Sequence, residues 1–289
     1  MKSIYIIGSG PAGISAALYL QRSGKNNVKV IASGTGALQY AEKIENYYGF
    51  PEPVSGAELH KRGVLGAERL GVEFIEEEAV SLGFGNDMRL QLSTNKNNYE
   101  ADAVLIATGA ARKTLPIVGL KEHEGKGVSY CAVCDAFFYR GKDVCVIGSG
   151  EYAVHEAKVL ASVASSVTIL TNGAEPDAAI DDTIRIITDK ISSINGEGSV
   201  EKVVFADANE LSVKGVFVAV GIAGSGDLAR KIGAETENGR IRVNEKMETN
   251  VPGLFAAGDC TGGTLQIYKA VYEGATAAFS IINYLKNQS

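Results

Sequence analysis

Short apolar runs alternate along the chain with glycine turns and with stretches of helical spacing. Ile4-Tyr5-Ile6-Ile7 is a continuous apolar run with the length of a strand buried on both faces. It leads into Gly8-Ser9-Gly10-Pro11-Ala12-Gly13 and then a helix from Ile14 to Arg22. At an offset of 140 residues Val144-Cys145-Val146-Ile147 repeats the pattern. That run enters Gly148-Ser149-Gly150-Glu151-Tyr152-Ala153 and a helix from Val154 to Leu160. Each unit is followed by a β-branched strand, Val28 to Ile31 and Val167 to Leu170. Further strands end in glycine at Ala103–Ile106 before Ala107-Thr108-Gly109, at 215–220 before Gly221, and at 254–257 before Gly258-Asp259. The tail from Ile267 to Leu285 carries small and apolar residues at helical spacing.

Strand, glycine turn, helix and strand, twice over, predict an α/β protein with two Rossmann-like dinucleotide-binding domains, the second inserted in the first. Residues 1–112 and 240–289 form the first domain on this reading, and 113–239 the second. Crossovers near Thr114–Val118 and Thr236–Ile241 join them, with domain motion the expectation for such a link. A single GxGxxG is a weak signal, but two in register, each between a strand and a helix, are specific. The first glycine makes the turn, the second admits a pyrophosphate, and the third packs helix on strand. The anion then sits on the free N–H groups at the helix N-terminus.

Composition narrows the class. The 34 glycines in 289 residues exceed the usual share of about 7%, while only 6 prolines argue against a disordered linker. An apolar fraction of 45% supplies a sizeable core. A net charge of −6 argues against a nucleic-acid binder that works through bulk positive charge. No run approaches the 18 or so apolar residues of a membrane-spanning helix. The N-terminal stretch mimics a signal peptide weakly, but three glycines interrupt it, so it reads as folded structure in a cytoplasmic protein.

Cys131-Ala132-Val133-Cys134-Asp135 is the chemical centre. A zinc site needs further ligands, and Cys145, Cys260, His60, His123 and His155 show no ligand spacing, so no metal is expected. Two unreactive core thiols are a second reading. The third, favoured here, is a reversible dithiol/disulfide whose small ring opens and closes, with Asp135 placed to relay a proton to the departing thiolate. Cys145 reads as strand filler; Cys260 has no assigned mechanism.

Over essentially its whole length the chain resembles the low-molecular-weight thioredoxin reductases. The matching stretches are GSGPAG, IENYYGFPEPVSGAEL (Ile44 to Leu59), ATGA (Ala107 to Ala110), GVSYCAVCDAFFYRGKDVCVIGSG (Gly127 to Gly150), VPGLFAAGD (Val251 to Asp259) and a segment from Gln266 to Ala278. The CxxCD ahead of the second glycine turn is distinctive of this group among pyridine nucleotide-disulphide reductases. The resemblance implies the class II architecture of that group, FAD as cofactor, thioredoxin as substrate and a homodimer. It implies that Gly8, Gly10, Pro11, Ala12 and Gly13 hold the FAD pyrophosphate and that Asn46 lies near the flavin. It implies that Thr108 and Gly109 close over the cofactor, that Gly258 and Asp259 hold its ribityl chain or phosphates, and that Gln266 and Ile267 lie by the isoalloxazine. Cys134 would face the flavin, Cys131 would attack the thioredoxin disulfide, and Asp135 would act as acid and base.

Departures from the family pattern point to the electron donor. The strand Val28–Ile31 ends in Ala32-Ser33 without the acid that usually holds the adenosine ribose, and Thr35-Gly36-Ala37 replaces the family's Gly-Gly-Gln. In the inserted domain the His-Arg-Arg-x-x-x-Arg that binds the 2′-phosphate of NADPH is absent. The stretch Val167 to Asp177 carries no basic residue and two acids. Glu151 opposes a pyrophosphate at the second turn and Tyr152 could fill its place; the favoured reading is that Glu151 caps the helix dipole of a fold whose dinucleotide site is lost. The chain therefore looks like the ferredoxin-dependent flavin thioredoxin reductases, passing electrons from reduced ferredoxin through FAD to Cys131–Cys134 and on to thioredoxin. The alternatives are an NAD(P)H-dependent thioredoxin reductase with an atypical nucleotide site and a non-catalytic flavin-binding redox sensor. A candidate ferredoxin surface is the stretch 112–142, where Arg112, Lys113, Lys121, Lys126, Arg140 and Lys142 outnumber Glu122, Glu124 and Asp135.

Overall fold

The structure, a computed structural model, describes residues 1–24, 26–34, 36–109, 115–180, 184–220 and 224–288. Thr35, Ala110, Arg112, Lys113, Thr114 and Gly221 of the sequence reading lie outside the described residues. In chain order the elements used below are β1 (Lys2–Ile7), α1 (Pro11–Arg22), β2 (Asn26–Ile31), α2 (Gly56–Arg69), β3 (Glu73–Ile75) and β4 (Ala103–Ile106). Then follow β5 (Val128–Ser129), α3 (Ala132–Asp135), β6 (Asp143–Ile147), α4 (Glu151–Ala161), β7 (Ser166–Leu170), β8 (Arg185–Ile187) and β9 (Gly215–Val218). Last come α5 (Ser225–Lys231), β10 (Leu254–Ala256) and α6 (Ile267–Asn287).

The chain divides into two compact units, Met1–Arg112 with Gly224–Ser289, and Lys113–Ala223. In the first, five parallel strands run in the order β10-β4-β1-β2-β3. A parallel sheet is covered on both faces, which is why Ile4, Ile6 and Ile7 of β1 and all of β4 are buried. Small residues let α1 and α6 approach: Ala12, Ala16, Ala17, Ala277 and Ala278 share one core cluster. Ser15 Oγ donates to the Val271 carbonyl at 2.7 Å across that contact. An antiparallel meander, Ala79–Phe84, Leu90–Thr94 and Asn98–Ala101, precedes β4.

The second unit repeats the plan, with five parallel strands in the order β8-β7-β6-β9-β5 and a meander (Ile191–Asn195, Lys202–Phe205, Glu210–Ser212) ahead of β9. Its core gathers Ile147, Leu170, Val203, Val216 and their neighbours. One boundary differs from the sequence reading, which returned the chain to the first domain at 240. The return falls at Gly224. Lys231 at the end of α5 donates to the Val80 carbonyl at 2.8 Å, and Asn250 Nδ2 to the Gly233 carbonyl at 3.1 Å. These contacts tie 224–239 to the first unit, and no break in composition marks the change. Among the described residues no helix is long and apolar enough to cross a membrane.

Candidate active site

The first glycine turn packs backbone against backbone. Gly8 has φ +108°, and a Cβ on it would stand 2.4 Å from the Ala107 carbonyl oxygen; one on Gly13 would stand 2.0 Å from the Gly8 oxygen. Pro11 opens α1, whose N-cap, Gly10, brings no side-chain cap, and the first turn holds no acid. Beside Gly10 a Cβ would meet nothing within 4 Å among the described residues. The helix N-terminus therefore presents N–H groups to open space, the arrangement that holds an anion. Strand order reverses between β1 and β4, the switch point outside whose strand carboxyl ends ligands bind in sheets of this kind. Thr108 follows β4, and its buried hydroxyl has no hydrogen-bond partner among the described residues. Gly258 follows β10, and a Cβ there would lie 3.0 Å from Ala12 Cβ. Gly8, Gly10, Pro11, Ala12, Gly13, Thr108, Gly109, Gly258 and Asp259 thus converge from three strand ends. An open cradle and an orphaned hydroxyl fit a pyrophosphate-bearing cofactor.

Asn46 and Gln266 are exposed, and Ile267 begins α6 half-buried. Burial raises the Asp259 carboxyl above its ordinary value; Lys269 opposes this and Glu273 adds to it. Those two residues were not singled out from the sequence. Glu273 Oε2 accepts the Gly258 N–H at 2.8 Å, while Lys269 Nζ donates to the Gly258 carbonyl at 2.7 Å and pairs with Glu273 at 2.8 Å. Glu273 lies on the inward stripe of α6 with Ala270, Gly274 and Ala277, so a charge at an apolar spacing was the available signal. His60 of α2 also meets the turn, its Nε2 lying 3.3 Å from Ser9 Oγ, which donates to the Gly34 carbonyl.

The second glycine turn keeps the backbone packing but carries a carboxylate beside its middle glycine. A Cβ on Gly148 would stand 2.1 Å from the Ala219 oxygen, matching Gly8 against Ala107. At Gly150, however, an Asp177 carboxylate oxygen lies 3.1 Å from where a Cβ would be. The Asp177 N–H donates to the Ser149 carbonyl at 3.0 Å and draws the segment after β7 over the turn. Glu151 adds a second acid in the first turn of α4. Tyr152 does not fill the phosphate position. Its ring is fully buried, and its hydroxyl donates to the Tyr130 carbonyl at 3.2 Å, because that position of α4 faces the core.

Cys131 and Cys134 form a disulfide across α3, with Cα atoms 5.4 Å apart. Cys131 caps α3, and its Sγ accepts the Cys134 N–H at 3.2 Å. Ser129 Oγ accepts the Cys131 N–H at 3.1 Å and donates to Asp135 Oδ2 at 2.6 Å. Asp135 is thereby held within the CxxC turn. Glu156 of α4, absent from the sequence reading, takes the Ala132 N–H at 2.7 Å. Cys131 is buried and Cys134 exposed, with Val133, Phe137 and Phe138 exposed beside it and Arg140 over the Phe137 ring. Burial pushes the Cys145 thiol far up and the Cys260 thiol up to about 12, so neither forms a nucleophile. The described bases of the 112–142 stretch fall in two groups. Lys121 and Lys126 alternate with Glu122 and Glu124, whereas Arg140 and Lys142 follow the redox turn and lie over Phe137 and Tyr139.

Known proteins resemble this chain over nearly its whole length. Residues 2–274 match the family model of pyridine nucleotide-disulphide oxidoreductases. The chain is 35% identical to a thioredoxin reductase of Bacillus subtilis (98% of this chain, 94% of the relative) and 33% identical to one of Aquifex aeolicus (99% and 94%). Among solved structures it is similar to the atypical thioredoxin reductase TRi of Desulfovibrio vulgaris Hildenborough, at 38% identity and TM-score 0.94 over 99% of both chains. It is also similar to a ferredoxin-flavin thioredoxin reductase of Clostridium acetobutylicum, at 34% identity and TM-score 0.74 over 99% of this chain and 98% of that one.

Proposed function

The chain belongs to the thioredoxin reductases of the pyridine nucleotide-disulphide oxidoreductase family, and from that premise we propose that its electrons come from reduced ferredoxin and not from NADPH or NADH. Family membership implies FAD as cofactor. The observation that carries the donor reading is the contrast between two equivalent turns. The space beside Gly10 is open, and the space beside Gly150 holds the Asp177 carboxylate. Asp177 is exposed, so a like charge about 4 Å away is repelled by between about 1 kcal/mol, as in bulk water, and about 4 kcal/mol at an effective dielectric of 20. A pyrophosphate at Gly150 meets that repulsion, and no base between Val167 and Asp177 offsets it or receives a 2′-phosphate. The Clostridium relative, by its name, works with ferredoxin and flavin.

In this reading the first turn, with Thr108, Gly109, Gly258 and Asp259, holds FAD, and Asn46, Gln266 and Ile267 lie toward its flavin. Bound FAD supplies the conversion between the single electrons of ferredoxin and the electron pair that a disulfide takes. Cys134 is the sulfur open to the flavin. Cys131, released when the disulfide opens, attacks the thioredoxin disulfide, and its burial requires the surroundings of α3 to open first. Asp135, held by Ser129, moves the proton that the departing thiolate needs. Energetics permit the donor. Low-potential ferredoxins lie near about −400 mV and thioredoxin near about −270 mV, a difference worth about 6 kcal/mol over two electrons.

The same reading has the enzyme act in the cytoplasm as a homodimer. Exposed rings on α6 (Tyr268, Tyr272, Phe279), with Tyr19 against Phe279, supply an apolar face for a second copy. A monomer by light scattering removes the dimer. The donor claim is tested by anaerobic titration of the flavin spectrum. Micromolar NADPH or NADH is expected to leave it oxidised, and rapid bleaching defeats the claim.

A further inference from the structure

Glu156 is 1% exposed, and the reaction as described gives it no task. It stands in the stripe Tyr152–Glu156–Leu160 of α4, whose other members are buried and largely apolar. Burying a carboxylate there is costly unless it is held by hydrogen bonds. One of its partners is the Ala132 N–H at 2.7 Å, the peptide that follows Cys131. Ser129 takes the neighbouring Cys131 N–H and bonds Asp135, and Cys131 Sγ receives only the Cys134 N–H among the hydrogen bonds described for it.

A carboxylate at this position occupies a donor at the start of α3 that a sulfur anion would otherwise use. Its negative charge also opposes a thiolate on the adjacent Cys131. Stabilising the thiolate turns a dithiol pair into an oxidant, and withholding that stabilisation makes it a stronger reductant. The geometry points to Glu156 as a positioning residue that keeps the Cys131–Cys134 pair strongly reducing by disfavouring the Cys131 thiolate. The inference rests on this pair being the redox centre, as proposed above. The other titratable groups around the turn are Tyr130, Asp135 and Tyr139, with Glu151, Tyr152, His155 and Lys158 on α4. All are retained in the variants below.

Flavin-loaded wild type and Glu156→Gln are equilibrated with mixtures of reduced and oxidised dithiothreitol at pH 9 and pH 7. Reduction breaks the S–S bond and takes up two electrons and two protons from dithiothreitol, which closes to its cyclic disulfide. Thiols are trapped by alkylation, and the reduced fraction of Cys131 and Cys134 is read by mass. Gln keeps an acceptor for the Ala132 N–H and removes the charge. At pH 9 the equilibrium constant is expected to move about threefold or more toward the dithiol, about 14 mV, and less at pH 7. Glu156→Asp, which keeps the charge, stays near wild type. A smaller shift at pH 9, or one of opposite sign, overturns the inference. If Glu156→Gln does not fold, the alkylation rate of Cys131 in reduced wild type decides, with peptide mapping to locate the label. Half-maximal rate above the ordinary thiol value of about 8.5 supports the inference, and one at or below it overturns it. A wild-type pair that never takes up electrons defeats the proposed function; a cycling pair unmoved by Gln defeats only this inference.

Discussion

Thr108 tests the cofactor site at the scale of single residues, because its buried hydroxyl has no partner among the described residues. An unmet buried hydroxyl costs about 1–3 kcal/mol, so Thr108→Val leaves the melting temperature of the flavin-free protein unchanged or higher. FAD affinity, read by fluorescence titration, falls by about tenfold, the equivalent of about 1.4 kcal/mol. A lower melting temperature with unchanged affinity contradicts that role. The cysteines divide just as sharply. Cys131→Ser and Cys134→Ser abolish thioredoxin turnover. Cys131→Ser retains a Cys134 sulfur that perturbs the oxidised flavin spectrum, whereas Cys134→Ser does not. Cys145→Ala and Cys260→Ala keep turnover per bound flavin within about twofold, since both thiols are buried and stay protonated. Wild-type turnover in either CxxC variant contradicts the assignment. The CxxC was legible in the sequence because its chemistry is local, two sulfurs three positions apart. Glu156 was not, because its bond to Ala132 spans 24 residues and exists only once α4 packs on α3.

At the scale of elements, the glycine turns were legible because no side chain fits where strand, turn and helix backbones meet. Gly8 and Gly148 stand against the carbonyls of Ala107 and Ala219 in the same way. What distinguishes the two turns was only partly legible. The acids after β7 were visible in the sequence, but the fold of that segment over Gly150 was not, and it puts Asp177, not Tyr152, beside the turn. The meander of the first unit carries its own pH signature. Burial alone raises the Glu77 carboxyl, but donors from Thr94, Asn97 and Tyr99, with Lys96 nearby, bring it below its ordinary 4.5. A carboxyl lowered in the folded state stabilises fully above its unfolded value and loses that contribution as pH falls through the folded one. Thermal melts should therefore separate wild type from Glu77→Gln most at pH 7 and progressively less below pH 4.5. A separation that does not change between pH 7 and pH 3.5 contradicts the clamp.

On the scale of the whole molecule, the interrupted first domain was legible from the offset between the two turns, and its return at Gly224 was not. That boundary is set by α5 docking through Lys231 on Val80, a contact with no local sequence signature. Two copies of one dinucleotide-binding plan, one with an open turn and one with a carboxylate beside its turn, make the electron donor the property that decides this enzyme's function. The direct measurement is thioredoxin thiol formation by the flavin-loaded enzyme under anaerobic conditions, with reduced ferredoxin or NADPH as sole reductant. Sustained thiol formation is expected with ferredoxin, and none above background with NADPH. Turnover with NADPH, or failure of ferredoxin to drive a protein that carries its flavin, contradicts a ferredoxin donor.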